Sequence, residues 1–419
     1  ASSLRGQWYT SPPMQRDEVS LTMTAATRTT IHPQRVRPAL PRSRRPLTLH
    51  DFTLGELEGW LVERGRPRYR ARQLFHWAYR QLALDYQAMT VLPKTLRAEL
   101  AETLPLSTLT LVREVSTDDG ETRKFLFRTF DGQHVETVLM FYPDRTTVCV
   151  SCQIGCAVGC AFCATGMTGL IRNLSAGEMV SQVVFAARRA REHGRPLTNV
   201  VVMGMGEPFQ NYDATMKMVS ILHEPAGMNF GARRITLSTS GLVPFIDRLA
   251  EEPYQVKLAV SLHAPNDALR SRLVPLNRRY PVGELLAACR RYVARTGRRL
   301  SFEYTLIKGV NDQDETAEEL ARLLRGLLCH VNLIPLNPTP AEPSFERPSP
   351  ERIERFAEIL RRHGISTTVR YSRGVEIAAA CGQLRADQEA ALPPWSVGNI
   401  PNLREGDSRL REDNEPARS

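Results

Sequence analysis

Cys149, Cys152, Cys156, Cys160 and Cys163 fall within fifteen residues, while Cys289, Cys329 and Cys381 stand apart. Crowded thiols in a large chain point to metal binding or thiol chemistry. A reducing compartment keeps ordinary thiols reduced, and 419 residues with 42% apolar content need no covalent staples. Cys156-x3-Cys160-x2-Cys163 offers three thiolates from one short loop, enough to hold three irons of a four-iron cluster and leave the fourth iron without a protein ligand. An open iron binds the amino and carboxylate groups of S-adenosylmethionine, and one electron then breaks the sulfonium bond to give a 5′-deoxyadenosyl radical. The competing reading pairs Cys149-x2-Cys152 with Cys160-x2-Cys163 around structural zinc. The seven residues between those pairs are fewer than the usual ribbon spacing of about 15 to 20.

Radical chemistry needs such a loop mounted on strand ends. From Ser175 onward, apolar strands near 198–204, 234–239, 256–262, 299–306, 330–335 and 366–371 alternate with amphipathic helices. About six βα units predict an α/β fold, a partial (βα)6 barrel of parallel strands with its site at their C-terminal ends. Ahead of it, Lys124–Thr129, His134–Met140 and Thr146–Ser151 read as hairpin strands, with Asp119-Gly120 and Asp131-Gly132 at turns. Folded structure is expected from Thr53, where Thr53-x-x-Glu56 forms a capping box before Leu54, Leu57 and Leu61. A second helix presents Ala71, Leu74, Phe75, Ala78, Tyr79 and Leu82 on one face. The expected order is a disordered basic arm (1–48), a helical RNA-recognition unit (49–110), a β-hairpin adaptor (111–148), the core (149–385) and a polar tail (386–419).

A formal net charge of +10 favours an anionic partner, nucleic acid first. Residues 1–48 hold eight Arg, no Lys and two acids, and Met23 within them is an expected start site. Arg64, Arg66, Arg68, Arg70 and Arg72 occupy every second position around Pro67, which suits a phosphate contact or a solvated face. No stretch approaches the roughly 18 apolar residues of a membrane span, so the reading is a soluble cytoplasmic protein.

Taken alone, Glu136 reads as a solvated strand residue and Cys381 as a small buried hydrophobe. Gly204-Met-Gly206 reads as a strand-ending turn, and His263 as a structural histidine. Their context is more specific. Glu136 precedes Cys149-Val-Ser-Cys-Gln-Ile-Gly-Cys156 and Cys160-Ala-Phe-Cys163-Ala-Thr-Gly. Then follow Met203-Gly-Met-Gly-Glu-Pro208, Leu237-Ser-Thr-Ser240, Ser261-Leu-His-Ala-Pro-Asn266, Asn332-Leu-Ile-Pro-Leu-Asn-Pro338 and Ala380-Cys-Gly-Gln-Leu384. In these motifs, over roughly residues 50–385, the sequence resembles the radical S-adenosylmethionine dual-specificity 23S rRNA and tRNA adenine C2-methyltransferases.

The resemblance implies a [4Fe-4S] cluster on Cys156, Cys160 and Cys163, and two S-adenosylmethionine molecules per turnover. It also implies an electron donor such as flavodoxin, RNA partners and a monomer. Cys381 takes a methyl group by polar displacement, in its thiolate form. A second S-adenosylmethionine yields the radical that removes hydrogen from methylated Cys381, and the resulting carbon radical adds to the adenine. Glu136 accepts the ring proton, and Cys149 attacks the Cys381 sulfur, leaving a disulfide to be reduced. Gly206 and Glu207 meet the cofactor amino group, and Ser238, Ser261, Leu262, His263 and Asn337 line the rest. The family pattern has a small polar residue where this chain has Cys152; Cys152, Cys289 and Cys329 read as structural thiols. The sibling family that methylates adenine C8 shares the cluster and both cysteines, and a zinc-dependent RNA-binding protein is the rival from another class.

Overall fold

The structure is a computed structural model that describes residues 45–385. The expectations for most of the basic arm, for Met23 and for the tail lie outside those residues.

Order begins before Thr53. A single 3-10 turn, Leu49–Asp51, is buried, and Asp51 Oδ1 accepts the Gly177 N–H at 3.0 Å. Three residues are too few to show periodicity, so a tertiary contact, here a carboxylate at a helix N-terminus, decides the boundary. The capping box of α1 (Leu54–Val62) forms, with Thr53 Oγ1 accepting from Glu56 N. Helix α2 (Tyr69–Phe75) runs into a π-turn, His76–Arg80. All six apolar positions expected on its face are buried. Helix α3 (Lys94–Thr103), which buries Leu96 and Leu100, was missed because its short apolar stripe lies amid polar residues. The alternating arginines divide in role. Arg66 pairs with Glu99, Arg64 covers the Trp60 ring at 3.9 Å, and Arg68 and Arg72 are exposed.

Strands β1 (Thr110–Ser116), β2 (Thr122–Arg128) and β3 (His134–Phe141) form an antiparallel meander. Strand β4 (Thr146–Cys149) pairs antiparallel with β3, Val138 opposite Cys149, and parallel with β7 (Asn199–Val202), Cys149 opposite Val201. The segment read as a hairpin strand is therefore also the first strand of the parallel run. Beyond the small ribbon of β5 (Gln153–Gly155) and β6 (Leu170–Asn173), the run continues through β8 (Ile235–Thr239), β9 (Lys257–Ser261), β10 (Leu300–Leu306), β11 (Cys329–Pro335) and β12 (Thr367–Val369). The ten strands are ordered β1-β2-β3-β4-β7-β8-β9-β10-β11-β12, an open sheet.

Helix α4 (Ala164–Met167) lies in the cysteine loop. Helices α5 (Ala176–Glu192), α6 (Tyr212–His223), α7 (Val243–Leu249), α8 (Asp267–Leu273), α9 (Val282–Thr296), α10 (Asp314–Leu324) and α11 (Pro350–Arg362) supply the crossovers. Six βα units thus start on β4 rather than on β7. Among the described residues, no helix is long and apolar enough to cross a membrane.

His50 couples the N-terminal segment to α5. Its Nδ1 lies 2.9 Å from Ser181 Oγ, whose hydroxyl donates to Gly177 O at 2.6 Å, so the histidine is the donor. Burial pushes its pKa from 6.5 down to about 4, with Asp51 opposing. The unfolded chain therefore binds more protons between these values, and stability falls as pH drops through that window. The loss is of order 3 kcal/mol. His50→Gln should flatten the melting temperature between pH 7 and 5; parallel curves for the two proteins would contradict it.

Candidate active site

The β5–β6 ribbon closes the cysteine loop at its base. Cys156 N donates to Gly169 O at 2.9 Å. Gly155 has φ +73°, and a Cβ there would lie 1.8 Å from Gly169 O, so only glycine lets the strands meet. Gly155→Ala must open the loop, and iron bound after reconstitution should fall below about a tenth of wild type, the equivalent of ~1.4 kcal/mol. Full iron content would contradict this. Cys156, Cys160 and Cys163 all line one cavity of about 150 Å³. Burial pushes the Cys156 thiol up to about 12 and raises Cys160 and Cys163 in the same direction. Three thiols held this way are poor anions by themselves and suit a positively charged centre that stabilises thiolate.

The rest of that cavity comes from strand ends. Past β7, a Cβ on Gly204 would lie 2.6 Å from Ser151 Oγ, and one on Gly206, at φ +105°, 2.5 Å from Gln153 Cβ. Glu207 Oε1 accepts from Phe209 N (3.0 Å) and Oε2 from Ser240 N (2.6 Å). Burial nonetheless raises its pKa above the usual carboxylate value. Ser238, Ser261, His263 and Asn337 also face the cavity. His263 takes φ +59°, and its Nδ1 accepts the Thr305 N–H at 2.9 Å, which leaves the proton on Nε2. Burial lowers its pKa to about 3, so the ring is a neutral donor, packed edge-on to Phe162 at 4.7 Å.

Leu262 does not line the cavity. Its side chain is fully buried, and its carbonyl accepts from Arg270 Nε at 3.0 Å. Arg270, which the sequence reading passed over, is itself fully buried. It donates also to Asn277 Oδ1 (3.0 Å), Ser240 O (2.7 Å) and Ser261 O (3.0 Å), joining the ends of β8 and β9. Only its place on α8, just after the Ser261–Asn266 motif, hinted at it.

Cys149 and Cys381 wall a second cavity of about 90 Å³, together with Cys163 and Arg370. Cys149 ends β4, and burial pushes its thiol up to about 12, with Cys381 adding and Arg370 opposing. Cys381 is exposed, on a loop pinned to the cysteine loop: Ala164 N donates to Gly382 O (2.8 Å) and Thr165 Oγ1 to Leu384 O (2.6 Å). Asn337 Nδ2 donates to the Cys381 carbonyl at 3.1 Å. Glu136 is buried on β3 and lines neither cavity. Lys124 Nζ lies 3.0 Å from its Oε1, and Arg385 N donates to its Oε2 at 2.8 Å, so the end of the Cys381 loop covers it. Arg370 and Glu303, also absent from the sequence reading, line the first cavity too.

Cys152 is buried, with Sγ 3.7 Å from Met205 O. Cys289 and Cys329 are buried as well. Among the described residues, no three His, Cys, Asp or Glu are arranged to hold a single metal ion.

The Radical SAM superfamily profile matches residues 150–324, and that of the ribosomal RNA large subunit methyltransferase N-terminal domain matches residues 47–105. The chain is 54% identical to the "probable dual-specificity RNA methyltransferase RlmN" of Chloroflexus aurantiacus, over 82% of this chain and 94% of that one. It is 50% identical to the protein of the same description from Symbiobacterium thermophilum, over 80% and 91%. A solved radical SAM methyltransferase from Sphaerobacter thermophilus superposes with a TM-score of 0.81 at 79% identity, covering 82% of this chain and all of that one.

Proposed function

The chain belongs to the dual-specificity RNA methyltransferase family of the radical S-adenosylmethionine superfamily, and from that membership we propose that it methylates C2 of one adenine in 23S rRNA and of one in tRNA. The observation that carries the reading is that Cys149 and Cys381, far apart in sequence, wall one cavity bordered by Cys163 of the cysteine loop. Cys156, Cys160 and Cys163 are the residues that would hold a [4Fe-4S] cluster, and their donor set fits one: three thiols from a single loop, facing one cavity. When bound, the cluster supplies the electron that reductively cleaves S-adenosylmethionine.

The chain does the rest. Gly206 and Glu207 receive the amino group of S-adenosylmethionine in a slot kept open by the missing Cβ. Ser238, Ser261 and the Nε2–H of His263 supply polar contacts, and Leu262 contributes through the Arg270-bound backbone. Asn337 holds the Cys381 carbonyl and so orients the thiol. Cys381 thiolate attacks the methyl carbon of a first S-adenosylmethionine and takes the methyl group, displacing S-adenosylhomocysteine. After a second molecule is consumed in removing hydrogen from that methyl group, the Cys381 carbon bonds to adenine C2. Glu136 takes the ring proton, for which the Arg385 N–H must leave its carboxylate and the end of the Cys381 loop must lift. The ring gives back the electron spent in the cleavage; Cys149 as thiolate then attacks the Cys381 sulfur, the sulfur–carbon bond breaks, the departing carbon takes up a proton to become the RNA methyl group, and a disulfide remains. Arg68 and Arg72 offer exposed guanidinium groups to RNA phosphates. The working form is a cytoplasmic monomer served by an electron donor such as flavodoxin.

Incubating the enzyme with S-adenosylmethionine and no reductant should leave the Cys381 peptide one methyl group heavier by mass spectrometry. An unmodified Cys381 peptide alongside S-adenosylhomocysteine release would count against this role.

A further inference from the structure

The N-terminal ends of the parallel strands line a third, larger chamber of about 870 Å³, on the opposite side of the sheet ends from the cysteine loop. It falls within the size range of small-molecule sites. Four of its basic side chains, Arg233, Lys257, Arg298 and Arg299, have no carboxylate partner among the described residues. Arg233 donates to Gln255 Oε1 (2.7 Å) and Arg298 to the carbonyls of Tyr254 (3.1 Å) and Val256 (3.3 Å), all neutral acceptors. Arg145 and Arg295, also in the wall, are paired with Asp144 and Glu251. The acid on the same rim, Glu252, accepts from Tyr212 at 3.1 Å.

At the inner end lies Glu303, 5% exposed. Its Oε1 accepts from Ser301 and Asn332, while Oε2 is buried without a hydrogen-bond partner; the nearest cation, Arg370 Nη1, is 3.8 Å away. That oxygen, ion-paired with Arg370 but not hydrogen-bonded, can take a further donor. Tyr142, Val201, Met203 and Arg370 line both this chamber and the Cys149–Cys381 cavity, so the two spaces adjoin.

A ligand fitted to this chamber is anionic at the rim and carries a donor such as an ammonium at its inner end. We propose that the chamber binds an anionic, amino-acid-derived low-molecular-weight thiol, which reduces the Cys149–Cys381 disulfide from behind while the front of the site faces RNA. The inference rests on the two-cysteine reading above. The first thiol, as thiolate, attacks one sulfur of the disulfide and releases the other cysteine as thiolate. A second thiol attacks the external sulfur of the mixed disulfide, freeing the second cysteine and departing as the small-molecule disulfide. Two thiols are oxidised, two cysteines are reduced, and the two thiol protons end on Cys149 and Cys381.

The test starts with full-length holoenzyme oxidised by diamide, after peptide mapping has located the disulfide. Its reduction is timed with glutathione and with neutral 2-mercaptoethanol, the rates being compared per thiolate. Glutathione should be faster by about tenfold or more, as expected for charge-focused access. Pyrophosphate should suppress that advantage, and Lys257→Glu with Arg299→Glu should bring the ratio of the two rates to about 1. No advantage for glutathione, or an advantage that survives both charge reversals, would overturn the inference. Absence of any Cys149–Cys381 disulfide would instead overturn the two-cysteine reading itself.

Discussion

Cys149→Ala, produced in cells that contain unmodified RNA, should purify with RNA covalently attached through Cys381. The thiol of Cys149 and that of Cys381 share a cavity of about 90 Å³, and among the thiols walling it Cys163 belongs to the cluster loop. No spare thiol there can release the Cys381 sulfur–carbon bond once Cys149 is gone. The effect is all-or-none in kind: turnover stops after one event, and the stalled protein runs heavy until nuclease trims it. Methyl transfer onto Cys381 does not use Cys149, so the adduct still forms. Burial drives the Cys149 thiol up to about 12, so its thiolate must be drawn out by Arg370 or by proton transfer at the moment of attack. Wild type should therefore also accumulate more adduct as pH falls. A nuclease-insensitive, clean protein mass for Cys149→Ala, with active wild type prepared in parallel, would contradict the role of Cys149.

Arg270→Met should be the most damaging single change outside the thiols. The guanidinium serves the carbonyls of Leu262, Ser240 and Ser261 and the side chain of Asn277, all at 2.7–3.0 Å. Methionine nearly matches its stem in length but donates nothing, so three carbonyls at the ends of β8 and β9 lose a partner in a buried place. Leaving such groups unpaired costs about 1–3 kcal/mol each before relaxation, and about 3 kcal/mol overall is a conservative expectation. The same strand ends carry Ser238, Ser240, Ser261 and His263, so S-adenosylmethionine binding should weaken at least tenfold even under conditions where the variant stays folded. Urea unfolding and equilibrium binding check the two effects separately. Stability within about 0.5 kcal/mol of wild type, the range of an inconsequential surface change, would show that Arg270 does not hold these strand ends.

Much of this site is legible in the sequence because its parts are local. The three cluster thiols sit in one loop, and the glycines of Gly204-Met-Gly206 stand at the end of an apolar strand, where their need for space is a short-range matter. The six strands after Ser175 were visible because parallel strands buried on both faces are nearly continuous apolar runs. What escaped depends on partners remote in sequence. The double role of β4 is set by β7, fifty residues later. Order at Leu49–Asp51 is set by the N–H of Gly177. Arg270 looks like any helical arginine until three strand-end carbonyls converge on it. Glu303 lies on β10 and Arg370 directly after β12, among apolar neighbours that dominate the pattern, and only the fold brings them to the chamber floor. Glu136 was placed near the cluster loop by its strand, yet its cover by the backbone of Arg385 comes from a loop 249 residues away. Leu262 was grouped with the cofactor contacts because it stands between Ser261 and His263; just past the end of β9, its side chain is buried in the core instead.

The most direct test of the account is the position of the methyl group. Reconstituted enzyme is incubated anaerobically with S-adenosylmethionine, a reductant and unmodified 23S rRNA or tRNA, and the digested nucleosides are compared with standards by mass spectrometry. The account predicts 2-methyladenosine from both RNAs, lost in Cys381→Ala. Methyl at adenine C8, or S-adenosylmethionine cleavage without RNA methylation, would contradict it.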